Sequence, residues 1–202
     1  MPKKQYHHKD LRNALIEKGI ELVHEEGLNS FSLRKAAAAC GVSHAAPYSH
    51  FQSKEELLEA MQEHIADQFS RILEEAAADG ENAPDLLKKM GVAYLSFFLD
   101  HPLYFSFLYS QSNAKINLTA DGMDEGNFRP FLIYKSVILK RLEQISCPPQ
   151  KQNDAVIALW AFIHGITSLA TMKQVSYDGN WRQKVMDCMD IFELSFLKAQ
   201  EE

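Results

Sequence analysis

Apolar residues recur every three or four positions along almost the whole chain, the spacing of one face of an α-helix. Between Lys9 and Glu25, Leu11, Ala14, Leu15, Leu22 and Val23 fall on one side, and Gly27 follows as a natural C-terminal stop. Ser32 is placed to cap a short helix, Leu33 to Cys40, ended by Gly41. Ser43 is placed to cap the next, His44 to about His50. After a break at Phe51-Gln52-Ser53, Ser53 and Glu56 form a capping box that opens a long helix from Lys54 to about Ala78. The run AAADGENAP, 76–84, reads as a linker and domain boundary. Pro84 to Asp100 then turns Leu87, Met90, Tyr94, Leu95 and Phe98 inward, and His101-Pro102 breaks it. Leu103 to Ser110 forms a short aromatic helix, and Ser112 to Asn127 a polar, mobile connection whose DGMDEG lacks the alternating oxygens of a calcium loop. Three more helices follow: Arg129 to Ile145, CPPQ (147–150) to about Val175, and Trp181 to Lys198. No segment alternates as a strand does, so the fold class is all-α.

The penultimate helix is unusual. Val156, Trp160, His164, Thr167 and Thr171 share one face, Ile157, Ala161, Gly165, Ser168 and Met172 the next, and Leu159, Phe162, Ile163, Ile166 and Leu169 the rest. Apolar groups all round imply burial all round. Ala155 to Met172 is 18 residues without Lys, Arg, Asp or Glu, which touches the lower limit for a membrane span. Its His, Gly, Ser and Thr residues and its charged flanks favour a helix buried in protein, with no membrane partner. Because it lies near the end of a chain of this size, a second subunit is expected to cover part of it. The last helix, with its stripe Val185, Met189, Phe192 and Phe196, would share that interface or belong to the core.

Composition changes the picture in two respects. The net charge is −6 overall. Residues 1–54 nevertheless carry eight Lys/Arg against five acids, so that end is +3 on an acidic body, which points to an anionic partner for that end. The three cysteines, Cys40, Cys147 and Cys188, are far apart, which suits a reducing, cytoplasmic setting and neither a disulfide framework nor a cysteine zinc site. The polar start MPKKQYHHKD has no signal-peptide run.

The stretch GVSHAAPYSHF, Gly41 to Phe51, carries two histidines and a proline but no Lys, Arg, Asp or Glu. Helix, three-residue turn, helix is the spacing of a helix-turn-helix. The outer face of its second helix would carry His44, Ala45, Tyr48 and Pro47. Imidazole and hydroxyl groups suit phosphate oxygens and base edges, and Ala and Pro offer apolar contact to a thymine methyl. The same pattern also occurs in ordinary helical bundles. Pro47 forfeits one backbone hydrogen bond in the first turn.

The run FSLRKAAAACGVSHAAPYSHFQSKEELL, Phe31 to Leu58, resembles the N-terminal domain of the TetR family of transcriptional regulators. The resemblance rests on Ser32, Ala37, Cys40-Gly41-Val42-Ser43, Tyr48, His50-Phe51, Lys54-Glu55 and Leu57-Leu58. Ala36 and Pro47 stand where that family commonly has aliphatics. The resemblance implies double-stranded DNA as partner, with Ser32 at the interface, Tyr48, His50 and Lys54 on phosphates, and Ser43, His44, Ala45 and Pro47 facing the groove. It implies an N-terminal three-helix helix-turn-helix domain (7–54), a connecting helix (55–78), and a helical ligand-binding and dimerisation domain (84–199). Trp160, His164 and Gly165 also resemble the W-x-x-x-H-G signature of one C-terminal subclass.

The second half is rich in rings. Tyr94, Phe98, Phe105, Trp160 and His164 are candidates to line a pocket for an apolar or aromatic small molecule, or to fill the core. No catalytic set, glycine-rich phosphate loop or metal-ligand spacing stands out, so no cofactor, metal or catalytic residue is expected. The expected function is a homodimeric, ligand-responsive repressor that releases a palindromic operator. A helical adaptor or a small helical enzyme without DNA binding are the alternatives, and salt-dependent DNA affinity separates them.

Overall fold

The computed structural model describes residues 8–78, 85–111, 115–119 and 128–198. All regular structure among them is helical, in the order α1 (His8–Glu26), α2 (Leu33–Ala39), α3 (Lys54–Ala78), α4 (Leu86–Asp100), α5 (Pro102–Ser106), α6 (Arg129–Gln144), α7 (Pro149–Thr171) and α8 (Trp181–Lys198). A 3-10 turn lies at Ala46–Ser49, and a π turn, Phe107–Gln111, follows α5. Most of the expected loop at 112–127, and residues 79–84 of the expected linker, lie outside the described residues. The chain divides into two compact units, Met1–Ile65 with Leu103–Ala114, and Ala66–Pro102 with Lys115–Glu202.

The first unit is built on α1. Leu15, Ile16, Ile20 and Val23 are buried on one face of it, and Phe31, Phe51, Leu57 and Met61 are buried in the same unit. Gly19 sits where a Cβ would stand 2.9 Å from Met61 Sδ, so α1 and the start of α3 approach as far as a hydrogen atom permits. Gly27 ends α1 with φ 80 and ψ 159, a conformation open in practice only to glycine. The Ser53 half of the capping box of α3 forms, with Glu56 N–H donating to Ser53 Oγ at 3.1 Å, while the Glu56 carboxylate reaches one residue further back and accepts from Gln52 N–H at 2.5 Å. From the returning segment, Tyr104 Oη donates to both oxygens of Glu17 (2.8 and 2.9 Å). His64 Nε2 meets Glu17 Oε1 at 2.7 Å. One carboxylate on α1 thus ties α3 and α5 to it.

In the second unit α4 packs on both α7 and α8. Gly91 explains the approach of α8, since a Cβ there would lie 2.9 Å from Val185 Cγ1 and 3.2 Å from Met189 Cε. Val185 and Met189 are therefore core, which settles half of the expected last-helix stripe against an interface role. Phe192 is half-buried with its ring 5.2 Å from that of Phe162, and the side chain of Phe196 lies outside the described residues. The expectation that α7 is buried all round fails within the chain. Leu159, Ile163 and Thr167 are buried, whereas Ala158, Ala161, Gly165, Leu169 and Met172 form an exposed stripe at helical spacing.

Candidate nucleic-acid interface and aromatic cluster

The helix-turn-helix starts from Ser32, whose Oγ accepts from Lys35 N–H at 3.3 Å and caps α2. At the other end Gly41 takes φ 67. Its N–H donates to Ala38 O and Val42 N–H to Ala37 O, both at 3.0 Å, the paired bonds of a Schellman motif. Gly41→Ala is expected to cost about 1–2 kcal/mol through the left-handed backbone alone, read as a lower thermal midpoint.

The second helix is shorter than the sequence implies. An α-helix capped by Ser43 would need Pro47 N–H to donate to Ser43 O, and proline has none. Ala46 N–H takes that carbonyl instead, at 3.0 Å, and Tyr48 N–H donates to Ala45 O at 3.2 Å, so the segment winds as a 3-10 turn. Ser43, His44 and Ala45 lie before this turn, all exposed. Tyr48 is 56% exposed, so most of its ring is open to solvent. Pro47 is buried, so it faces inward rather than toward a groove.

The remaining expected positions are more engaged than exposed. His50 is half-buried with its ring 6.4 Å from that of Phe51. Lys54 Nζ donates to Leu28 O at 2.6 Å and lies 6.0 Å above the Phe31 ring, so its charge ties the α1–α2 connection to α3. Arg34, which the motif reading passes over, stands exposed in the first turn of α2 and has no ion pair among the described residues. Its position two residues after the Ser32 cap is the signal that identifies it. Lys35 beside it is paired with Glu26. The exposed surface thus presents His44, Tyr48, Ser43, Ser49 and Arg34, with no carboxylate on the Gly41–Phe51 stretch. Such a surface can donate hydrogen bonds to phosphates and base edges.

In the second unit, Phe69 on α3 is fully buried among Tyr94 (4.9 Å between ring centroids), Phe97 (5.1 Å) and Phe98 (4.8 Å). Tyr94 links this group to Trp160 at 5.4 Å. Tyr94 Oη lies 3.3 Å from His164 Nδ1, and burial lowers the His164 pKa, favouring the neutral ring. Four of the five candidate pocket residues, Tyr94, Phe98, Trp160 and His164, are therefore brought together. Phe105 is not: it belongs to the first unit, where its ring is 5.0 Å from that of Tyr109, because the chain returns there after Pro102. Phe131 and Tyr134 on α6 complete the cluster and go unmarked in the sequence because α6 shows no cue beyond ordinary apolar spacing. A separate open cavity of about 250 Å³ lies between Glu74, Leu86, Val137 and Lys140. No cluster of His, Cys, Asp or Glu suited to a metal occurs among the described residues.

Two family descriptions match the chain: bacterial regulatory proteins, tetR family, over residues 15–61, and tetracyclin repressor-like, C-terminal domain, over residues 87–186. The second does not establish the W-x-x-x-H-G subclass. Among solved structures, the chain is similar to a protein with unknown function from Rhodococcus sp. RHA1 (TM-score 0.71, 24% identity, 98% of both chains covered). It is also similar to a bacterial regulatory protein in the tetR family from Rhodococcus RHA1 (TM-score 0.68, 17% identity, 90% of this chain and 94% of that one). A third is the TetR family transcriptional regulator PfmR from Thermus thermophilus (TM-score 0.63, 18% identity, 91% and 97%). At these identities the structural likeness speaks for the fold.

Proposed function

The chain belongs to the TetR family of bacterial regulatory proteins and is a DNA-binding transcriptional regulator rather than an enzyme, and on that premise we propose that it acts in the cytoplasm as a homodimeric repressor that leaves a palindromic operator when a small apolar or aromatic molecule binds its second unit. The observation that carries the DNA reading is the carboxylate-free Gly41–Phe51 segment, with His44, Ala45 and Tyr48 exposed, together with an exposed Arg34 on α2. Two copies related by a two-fold axis would present two such segments, which matches a palindrome.

The exposed stripe of α7 supports the dimer. This helix is long and apolar enough to span a bilayer, yet only 39% of its apolar window is buried within the chain. Ala158, Ala161 and Gly165 would let a second copy's helix approach closely, with Leu169 and Met172 as larger apolar neighbours. The cluster of Tyr94, Phe98, Trp160 and His164 supports an effector site. An effector releases DNA only to the extent that it favours the non-binding conformation. A 100-fold preference corresponds to about 2.7 kcal/mol.

Selection of bound genomic fragments, with and without candidate compounds, tests this reading. His44→Ala is expected to lose about 1–3 kcal/mol on the preferred site and little on random DNA, whereas Tyr48→Phe weakens binding to all sequences alike. Fluorescence anisotropy at fixed salt measures both. Equal affinity of the unaltered protein for random and selected DNA would reject the assignment.

A further inference from the structure

Trp160 is held in a box of rings. Its centroid lies 5.4 Å from that of Tyr94, 5.0 Å from Phe131 and 5.5 Å from Tyr134, at interplanar angles of 80°, 81° and 69°. Three ring contacts at steep angles around one flat bicyclic group are the arrangement that aromatic quadrupoles favour. His164 adds a nearly parallel ring at 6.5 Å. Trp160 is 6% exposed while Tyr94, Phe131 and Tyr134 are at 0 or 1%, so the indole is the most accessible of these four buried rings.

The box also holds a polar atom with no partner among the described residues: the buried hydroxyl of Tyr134. A buried hydroxyl without a partner is costly, and an indole, which offers no good acceptor, cannot relieve it. A planar guest with an acceptor could.

We propose that Trp160 fills, in the absence of ligand, the place of the effector, and that the effector is a fused two-ring aromatic compound whose hydrogen-bond acceptor engages the Tyr134 hydroxyl. This rests on the reading of the second unit as an effector site and specifies what that site takes. The guest replaces the indole between Tyr94, Phe131 and Tyr134, and the displaced Trp160 side chain reports the event. A flexible alkyl chain would not match the edge-on walls.

The test uses full-length protein and three probes: 2-acetylnaphthalene, its oxygen-free analogue 2-ethylnaphthalene, and decanoate. Affinity is measured by calorimetry, DNA release by anisotropy, and Trp160 through its indole N–H resonance, with Trp181→Phe removing the only other tryptophan. The ketone is expected to bind at least tenfold more tightly than the hydrocarbon, to move the Trp160 resonance and to release DNA. Tyr134→Phe should erase the difference between the two naphthalenes without lowering the Tm of the unliganded protein. Trp160→Ala, with the box empty, should bind both naphthalenes more tightly than the parent. Should decanoate release DNA while neither naphthalene binds, the aromatic class is wrong although the site reading stands. Silence from all three overturns the proposal, and silence from a broad small-molecule screen as well would take the effector reading with it. Equal binding of the two naphthalenes by the unaltered protein would remove the role given to Tyr134.

Discussion

Gly165→Leu is expected to leave the subunit folded and to split the dimer. A Cβ at Gly165 meets nothing within 4 Å in its own chain, so the substitution has room and even gains the helix propensity that glycine lacks, roughly 0.5–1 kcal/mol. Any penalty must then arise from a second molecule. Between close-packed helices an added bulky side chain costs about 1–3 kcal/mol, and two-fold symmetry places it in the interface twice. Sedimentation at micromolar concentration should show a monomer with unchanged helicity. Affinity for a palindromic site should fall steeply while affinity for a half-site is retained. A variant that remains dimeric with normal operator affinity would place the interface on another surface.

Phe69→Ala should produce the largest loss of stability. Phe69 has no exposure and touches three rings within about one ring width, Tyr94, Phe97 and Phe98. Truncating a buried phenylalanine costs about 3–5 kcal/mol, a large share of the roughly 5–15 kcal/mol that holds a domain together. In a chain of this size that corresponds to a fall in Tm of roughly 6–20 °C, measurable by calorimetry. A fall of only a degree or two would mean that the ring cluster rearranges around the gap.

Much of this architecture is visible in the sequence because its signals are local. Ser32, Gly41 and the Ser53–Glu56 pair each act within a few residues, and the structure realises all three. The long helix from Lys54 to Ala78 follows from one cap and an unbroken apolar spacing. What stayed hidden depends on distance along the chain. Glu17 meets His64 and Tyr104 from 47 and 87 positions away, and no helical periodicity encodes that meeting. The last-helix stripe reads equally well as core or interface, and only Gly91 on another helix decides for core at Val185 and Met189. Among the candidate DNA residues, the burial of Pro47 and the Leu28 partner of Lys54 are what local reasoning does not supply. A cyclic side chain turns inward where an aliphatic is absent, and an ammonium finds the carbonyl of Leu28 26 residues back. Composition groups Phe105 with the other rings, but it carries no information about which unit a returning segment joins.

That returning segment bears on how such a protein can be rebuilt by recombination. The chain leaves its first compact unit within α3, comes back for Leu103–Ala114, and departs again. The unit is therefore not encoded by one continuous stretch of gene. A chimera that joins this N-terminal part to a relative's body would leave the Glu17 carboxylate without the phenol of Tyr104 unless the recipient supplies one at the equivalent position. Exchange of DNA-reading heads between members should accordingly succeed only when two distant stretches travel together, and crossovers confined to the first 65 residues should yield poorly folding progeny.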